Sequence, residues 1–178
     1  MDLQTVYQKA IKFAGEKHRD QKITGSESSY LAHLSNVAME VILASQHKHD
    51  FDVNFAVQVA LLHDVIEDTP TGFEEIKSVF GFQIADAVLA LSKNTDLAPE
   101  EQIPDSLARI RLQSKEVWAV KLADRISNMQ EPPGHWDNNK RIAYQLMARM
   151  ILLKLKDSNA YLENRLEEKI LAYDQYIE

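Results

Sequence analysis

Four side chains able to bind a metal ion or move a proton are grouped in the stretch Leu61-Leu62-His63-Asp64-Val65-Ile66-Glu67-Asp68. At helical spacing His63 and Glu67 fall one turn apart, as do Asp64 and Asp68, so the four are expected to share one stripe of an otherwise apolar helix. A carboxylate withdrawn from water is costly unless it is paired or metal-bound. The stretch therefore needs cations, further ligands, or both.

The rest of the chain supplies them. His33 opens an earlier helical pattern, and Lys121-Leu122-Ala123-Asp124-Arg125-Ile126-Ser127-Asn128 carries a further carboxylate. Imidazoles from two helices, with Asp64 and Asp124, make a mixed nitrogen and oxygen set that suits Mn²⁺, Fe²⁺, Zn²⁺ or another divalent ion. Such a site leaves positions open for water and substrate, and Glu67 is close enough in sequence to take a proton from that water. Lys121, Asp124, Arg125 and Asn128 recur at i, i+3, i+4 and i+7, so one helix face presents cation, ligand, cation and amide together.

Helices must position these groups. Only five glycines and five prolines occur, and apolar residues recur at helical spacing almost throughout, which predicts an all-α protein. Helices are expected over Leu3 to His18, Tyr30 to His47, Phe55 to Asp68, Phe73 to Val79, Phe82 to Leu91, Leu107 to Gln113, Val117 to Met129, Asn138 to Lys156 and Asn159 to Tyr176. Thr71 and Glu74 have the spacing of a capping box, and the stretch from Lys93 to Asp105, with two prolines and several acids, is expected to be a mobile loop. His18 is expected to end a helix, and Trp118 to lie in the core.

A chain of 178 residues, 45% apolar, is expected to form one domain over residues 1–178. The absence of cysteine removes disulfides and thiolate chemistry. With no signal-peptide core and no stretch able to span a bilayer, the expected location is cytoplasmic. A net charge of −7 argues against a nucleic-acid surface. A polyphosphate ligand would have to be attracted by a metal and by local Lys and Arg. The apolar C-terminal helix is a candidate homodimer surface.

The order His33, His63-Asp64, Asp124 resembles the metal-dependent HD phosphohydrolase superfamily, and the words around it resemble the RelA/SpoT hydrolase domain. Ala60 to Thr69 is similar to that group's central motif, Phe80-Gly81 follows at the expected distance, and Val120 to Met129 is similar to its second signature. The resemblance runs from about residue 5 to 165, as in stand-alone small alarmone hydrolases, the group that includes the metazoan SpoT homologue. It implies an HD-domain helical bundle and a Mn²⁺-dependent 3′-pyrophosphohydrolase that converts (p)ppGpp to GDP or GTP and pyrophosphate.

The resemblance also implies roles. His33, His63, Asp64 and Asp124 match metal ligands, Glu67 and Asp68 the acidic pair that handles the attacking water, and Asn128 an amide beside the metal. Lys22 lies where the family has a basic cluster against the purine, and Lys93 with Asn94 where it has a short polar word. Trp136, Lys140 and Tyr144 resemble an aromatic-basic-aromatic set around the nucleotide, and Arg109, Arg111, Lys121 and Arg125 are further candidate substrate contacts. The chain departs from the pattern at Leu34, where proline usually follows the histidine, and at Ile23, in a loop lacking the usual Arg-Lys pair. Hydrolysis of (p)ppApp, an NADPH phosphatase, another HD nucleotide phosphohydrolase and a catalytically silent nucleotide-binding module stay open as alternatives; the last predicts a broken ligand set.

Overall fold

The computed structural model describes residues 1–177 and is helical, the only β pairing among the described residues being an isolated antiparallel bridge between Lys22 and Ser29. The helices are α1 (Leu3–Lys17), α2 (Tyr30–Ser45), α3 (Val53–Leu62), α4 (Val65–Asp68), α5 (Phe73–Phe80), α6 (Phe82–Leu91), α7 (Pro99–Ile110), α8 (Lys115–Asn128), α9 (Asn138–Lys154) and α10 (Ala160–Ala172), followed by a 3₁₀ turn over Tyr173–Tyr176. Capping side chains fix several of the starts. Asp2, Ser29, Asp52, Asp137 and Asn159 each accept a backbone N–H from the first turn of the helix they precede.

α2, α3 and α8 pack on one another at the centre; α1 covers α2 and α3, α6 covers α3 and α8, and α10 lies on α8 and α9. Leu34, Val37 and Val41 of α2, Val57, Ala60 and Leu61 of α3, and Leu122 and Ile126 of α8 are fully or almost fully buried in a single apolar cluster. Trp118 belongs to that core, as its apolar neighbours predict. Leu162, Leu166, Ile170 and Tyr173 bury the apolar stripe of the C-terminal helix within the chain, so the stripe is not an exposed dimer face. Among the described residues, no helix is long and apolar enough to cross a membrane.

Three expectations need correction. The helix expected from Phe55 to Asp68 is interrupted after Leu62, and a new turn begins at Val65. His63 keeps helical angles (φ −58°, ψ −32°), but Asp64 moves to φ −100°, ψ 0°, the sparsely populated bridge region. Neighbouring side chains of a regular helix diverge by roughly 100°. This break is what lets adjacent His63 and Asp64 face one point.

The Thr71 and Glu74 capping box does not form. Gly72 is the N-cap of α5 and no side chain caps it, while Thr71 is buried and donates its N–H to Thr69 Oγ1. The loop expected over Lys93 to Asp105 is half helix, because Pro99 occupies the first position of α7, where its missing N–H costs nothing. Pro104 lies within α7 on the exposed side, and Ile103, Ser106, Leu107 and Ile110 bury the opposite face. Burial of that stripe outweighs the proline.

Candidate active site

Asp64 stands at the break between α3 and α4, beside His63. The His63 Nδ1–H donates to Ala60 O at 2.7 Å, which fixes the ring and turns Nε2 toward Asp64 Oδ2, 2.9 Å away, and Asp124 Oδ1, 3.7 Å away. From α2, His33 brings Nε2 to 3.7 Å from the same Asp64 oxygen and 3.5 Å from the same Asp124 oxygen, its Nδ1 lying 3.1 Å from Ser127 Oγ. Both imidazoles are buried, and neither Nε2 has a partner in hydrogen-bond geometry.

Two buried, unpartnered nitrogens facing shared carboxylate oxygens are what a divalent cation needs. Ligand atoms of His33, His63 and Asp64 lie within 4.8 Å of one another, and Asp124 adjoins them through its contacts with both histidines. The outer atoms are held as well. Asp124 accepts from Lys121 Nζ at 2.9 Å and from Asn128 Nδ2 at 2.6 Å, and Asp64 accepts the hydroxyl of Tyr30.

The electrostatics follow from this crowding. Burial, then the neighbouring His63, lowers the pKa of His33. Burial opposes charge on His63, but Asp64 and Asp124 outweigh it and raise its pKa well above the usual value. Burial likewise opposes charge on both carboxylates; His63 holds Asp64 down to about 2, and Lys121, then His63, hold Asp124 well below the usual range. Burial and the charge of Asp64 push the Tyr30 phenol up, so it remains a donor.

The acidic pair has two different sets of partners. Glu67 is gripped by Lys93, whose ammonium meets Oε1 and whose backbone N–H donates to Oε2 at 2.9 Å. Asp68 Oδ2 accepts from Gln21 Nε2 at 2.8 Å, and Gln21 Oε1 lies 2.6 Å from Nδ1 of buried His18. All these acids line one cavity of about 660 Å³, together with His33, Trp136, Tyr144 and the loop residues Ile23, Thr24, Gly25, Ser26 and Ser28.

Of the expected substrate contacts, Lys93, Lys121, Arg125, Trp136 and Tyr144 line this cavity. Arg125 is buried, its guanidinium 4.6 Å from the Tyr144 ring centre, with Nε and Nη1 unpartnered. Four others do not line it. Lys22 bonds Glu27 O at 2.8 Å within its own loop, and Lys140 stands over the Trp136 ring at 4.7 Å. Arg109 pairs with Asp105 one turn back in α7 and ties α7 to the end of α6 through the carbonyls of Leu89, Ala90 and Ser92, and Arg111 opens onto a different cavity. Asn128 spends its amide on Asp124, so it orients that ligand.

Tyr30, Gln21 and Ser127 were not singled out from sequence. Tyr30 precedes His33 by one helical turn and Ser127 follows Asp124 at i+3, spacings that put them on the faces already identified. Gln21 sits in an irregular loop, where no periodicity marks it.

The family described as "HD domain" matches residues 10–150. The chain belongs to the HD-domain family. Its all-α bundle is the architecture expected of that family. The chain is 32% identical to the zebrafish (Danio rerio) guanosine-3′,5′-bis(diphosphate) 3′-pyrophosphohydrolase MESH1, the match covering 90% of each protein. The Drosophila melanogaster MESH1 is 28% identical over 91% of each. The solved structure of a metazoan orthologue of SpoT, described as hydrolysing ppGpp, superposes with a TM-score of 0.84 at 25% identity and 97% coverage of both chains.

Proposed function

We propose that the chain is a metal-dependent 3′-pyrophosphohydrolase of guanosine 3′,5′-bis(diphosphate) and related alarmones, built as one HD domain over residues 1–178, that releases pyrophosphate and GDP or GTP. The observation that carries this reading is an intact His33, His63, Asp64 and Asp124 cluster opening into a cavity of about 660 Å³ that also holds Glu67, Asp68 and Arg125. Relatives named as 3′-pyrophosphohydrolases over nine-tenths of the chain support the substrate class. An intact ligand set is the opposite of what a silent nucleotide-binding module predicts.

We take Mn²⁺ as the metal, because imidazole and carboxylate together suit a divalent ion of intermediate hardness. Bound there, it would lower the pKa of a coordinated water and polarise a phosphoryl oxygen. The chain's own residues do the rest. Glu67 accepts the proton of the attacking water, and Asp68, held by Gln21, keeps that water aligned. Attack at the phosphorus next to ribose O3′ forms the new P–O bond and breaks the P–O3′ bond; O3′ leaves with the electron pair and takes up the proton held by Glu67 or one from solvent, which frees the 3′-hydroxyl and pyrophosphate.

Arg125 donates from its two unpartnered nitrogens, Nε and Nη1, to the polyphosphate, and Lys93 shifts from Glu67 toward the phosphates as substrate enters. Lys121 and Asn128 act by holding Asp124, and Tyr30 by holding Asp64. Trp136 and Tyr144, edge to face at 5.1 Å, flank the nucleoside.

One observation favours an adenine variant, (p)ppApp, as a second reading. The loop that lines the cavity does so through Ile23, Thr24, Gly25, Ser26 and Ser28, with Lys22 turned into the loop. The deciding experiment offers ppGpp, ppApp, NADPH and 5′-nucleotides side by side to purified protein with Mn²⁺. Pyrophosphate release from ppGpp is expected. Failure on both alarmones with turnover of NADPH or a 5′-nucleotide would overturn the reading.

A further inference from the structure

Arg111 lines a second cavity, of about 540 Å³, with Lys115, Trp118, Lys154, Lys156 and Asp157. Three segments converge there: the end of α7, the first turn of α8, and the end of α9 with the turn after it. Four cations thus face one carboxylate in a chain whose 27 acidic side chains outnumber its 20 basic ones. Among the described residues none of the four enters an ion pair; Lys115 instead lies 3.4 Å over the Trp118 ring.

Helix dipoles do not explain the cluster. Arg111 and Lys154 sit at helix C-termini, where a cation is favoured, but Lys115 is the first residue of α8, where it is disfavoured. Like charges gathered around one concavity repel unless an anion joins them. Trp118 forms a fixed wall, its Nε1–H donating to Gln113 O at 3.1 Å. Only 9% of Trp118 is exposed, so no ring of a ligand can stack broadly on it. Recognition at this place is by charge.

We propose that this cavity is a second anion site that takes a diphosphate group, as inorganic pyrophosphate or as the diphosphate of a nucleotide. It stands apart from the His33, His63, Asp64 and Asp124 cluster, and the proposal does not depend on the substrate assigned there. The shared element is α8, whose first turn carries Lys115 and Trp118 and whose later turns carry Asp124 and Asn128.

The chain's two tryptophans separate the sites, since Trp118 lines this cavity and Trp136 the other. The test follows both indole N–H signals of the full ¹⁵N-labelled, metal-free protein by NMR, assigned with Trp118→Phe, during titration with pyrophosphate, GDP and orthophosphate. The Trp118 signal is expected to move saturably with pyrophosphate, with half-saturation near or below ~1 mM. The exposed double variant Lys154→Glu, Lys156→Glu should weaken that response by about tenfold or more and leave the Trp136 signal's response unchanged. An equal response to GDP identifies the diphosphate group as the ligand, and a response to pyrophosphate alone identifies the inorganic ion. A Trp118 signal that does not saturate, or one equally responsive in the charge-reversed variant, would overturn the proposal.

Discussion

Lys93 holds Glu67 from two sides, with its ammonium on one carboxylate oxygen and its backbone N–H on the other at 2.9 Å. In the proposed mechanism the base is thus engaged until the substrate's phosphates attract the lysine. Glu67→Gln keeps the shape and removes the base. It should retain metal, measured by elemental analysis, and lose about 10²–10⁴-fold in kcat. Lys93→Met should instead raise KM more than it lowers kcat, because the lost charge serves the polyphosphate. Wild-type kcat in Glu67→Gln would remove Glu67 from the mechanism.

Tyr30 reaches the His33, His63, Asp64 and Asp124 cluster in two ways, by its hydroxyl on Asp64 and by its ring against His33. Tyr30→Phe removes that bond and keeps the ring packed against His18 and His33. Metal affinity should fall about 10–100-fold, and added Mn²⁺ should restore kcat. Asp64→Ala should lose metal and turnover together, with no rescue by excess metal. Isothermal titration with Mn²⁺ beside steady-state kinetics distinguishes the two behaviours.

Metal binding should release a proton. In the metal-free protein His63 has a raised pKa, so its proton stabilises the fold fully below about pH 6.5, and that contribution is lost as pH rises through the folded-state value. A cation needs the same Nε2 without the proton. Mn²⁺ affinity should therefore increase with pH, and the rise in Tm on adding Mn²⁺ should be larger at pH 8 than at pH 6. Thermal melts at fixed free Mn²⁺ measure this, and a pH-independent gain would exclude competition at His63.

Gly81, between α5 and α6, has φ 90° and ψ 165°, a region essentially reserved for glycine. A Cβ there would meet nothing within 4 Å, so Gly81→Ala tests backbone strain without a clash. The expected cost is about 1–3 kcal/mol of stability in urea unfolding, with metal content unchanged.

The convergence of His33, His63, Asp64 and Asp124 was legible because these residues come from helices whose caps and apolar periods are local signals. His33 and Asp124 sit within about one turn of positions the pattern already turns inward, such as Leu34, Val37 and Ile126. The break at Asp64 was not legible, since it is held by a hydroxyl from α2, 34 residues away in sequence. Lys22 and Arg109 were misplaced for a related reason. A cation's sequence position does not tell which carbonyl it reaches, and both reach backbone oxygens. Gln21 found Asp68 across 47 residues by tertiary packing alone.

Arg125 keeps two guanidinium nitrogens, Nε and Nη1, buried without partners, an arrangement that costs stability unless something binds them. Arg125→Met keeps the apolar stem near Met147 and Tyr144 and removes the donors. The metal-free variant should be as stable as the parent or up to about 1–2 kcal/mol more stable, since the desolvated charge is gone. KM for the alarmone should rise about tenfold or more with metal content unchanged, the pattern of a residue that binds substrate and does not hold the metal. Loss of both stability and metal would instead make Arg125 part of the scaffold, and an unchanged KM would remove it from the polyphosphate site.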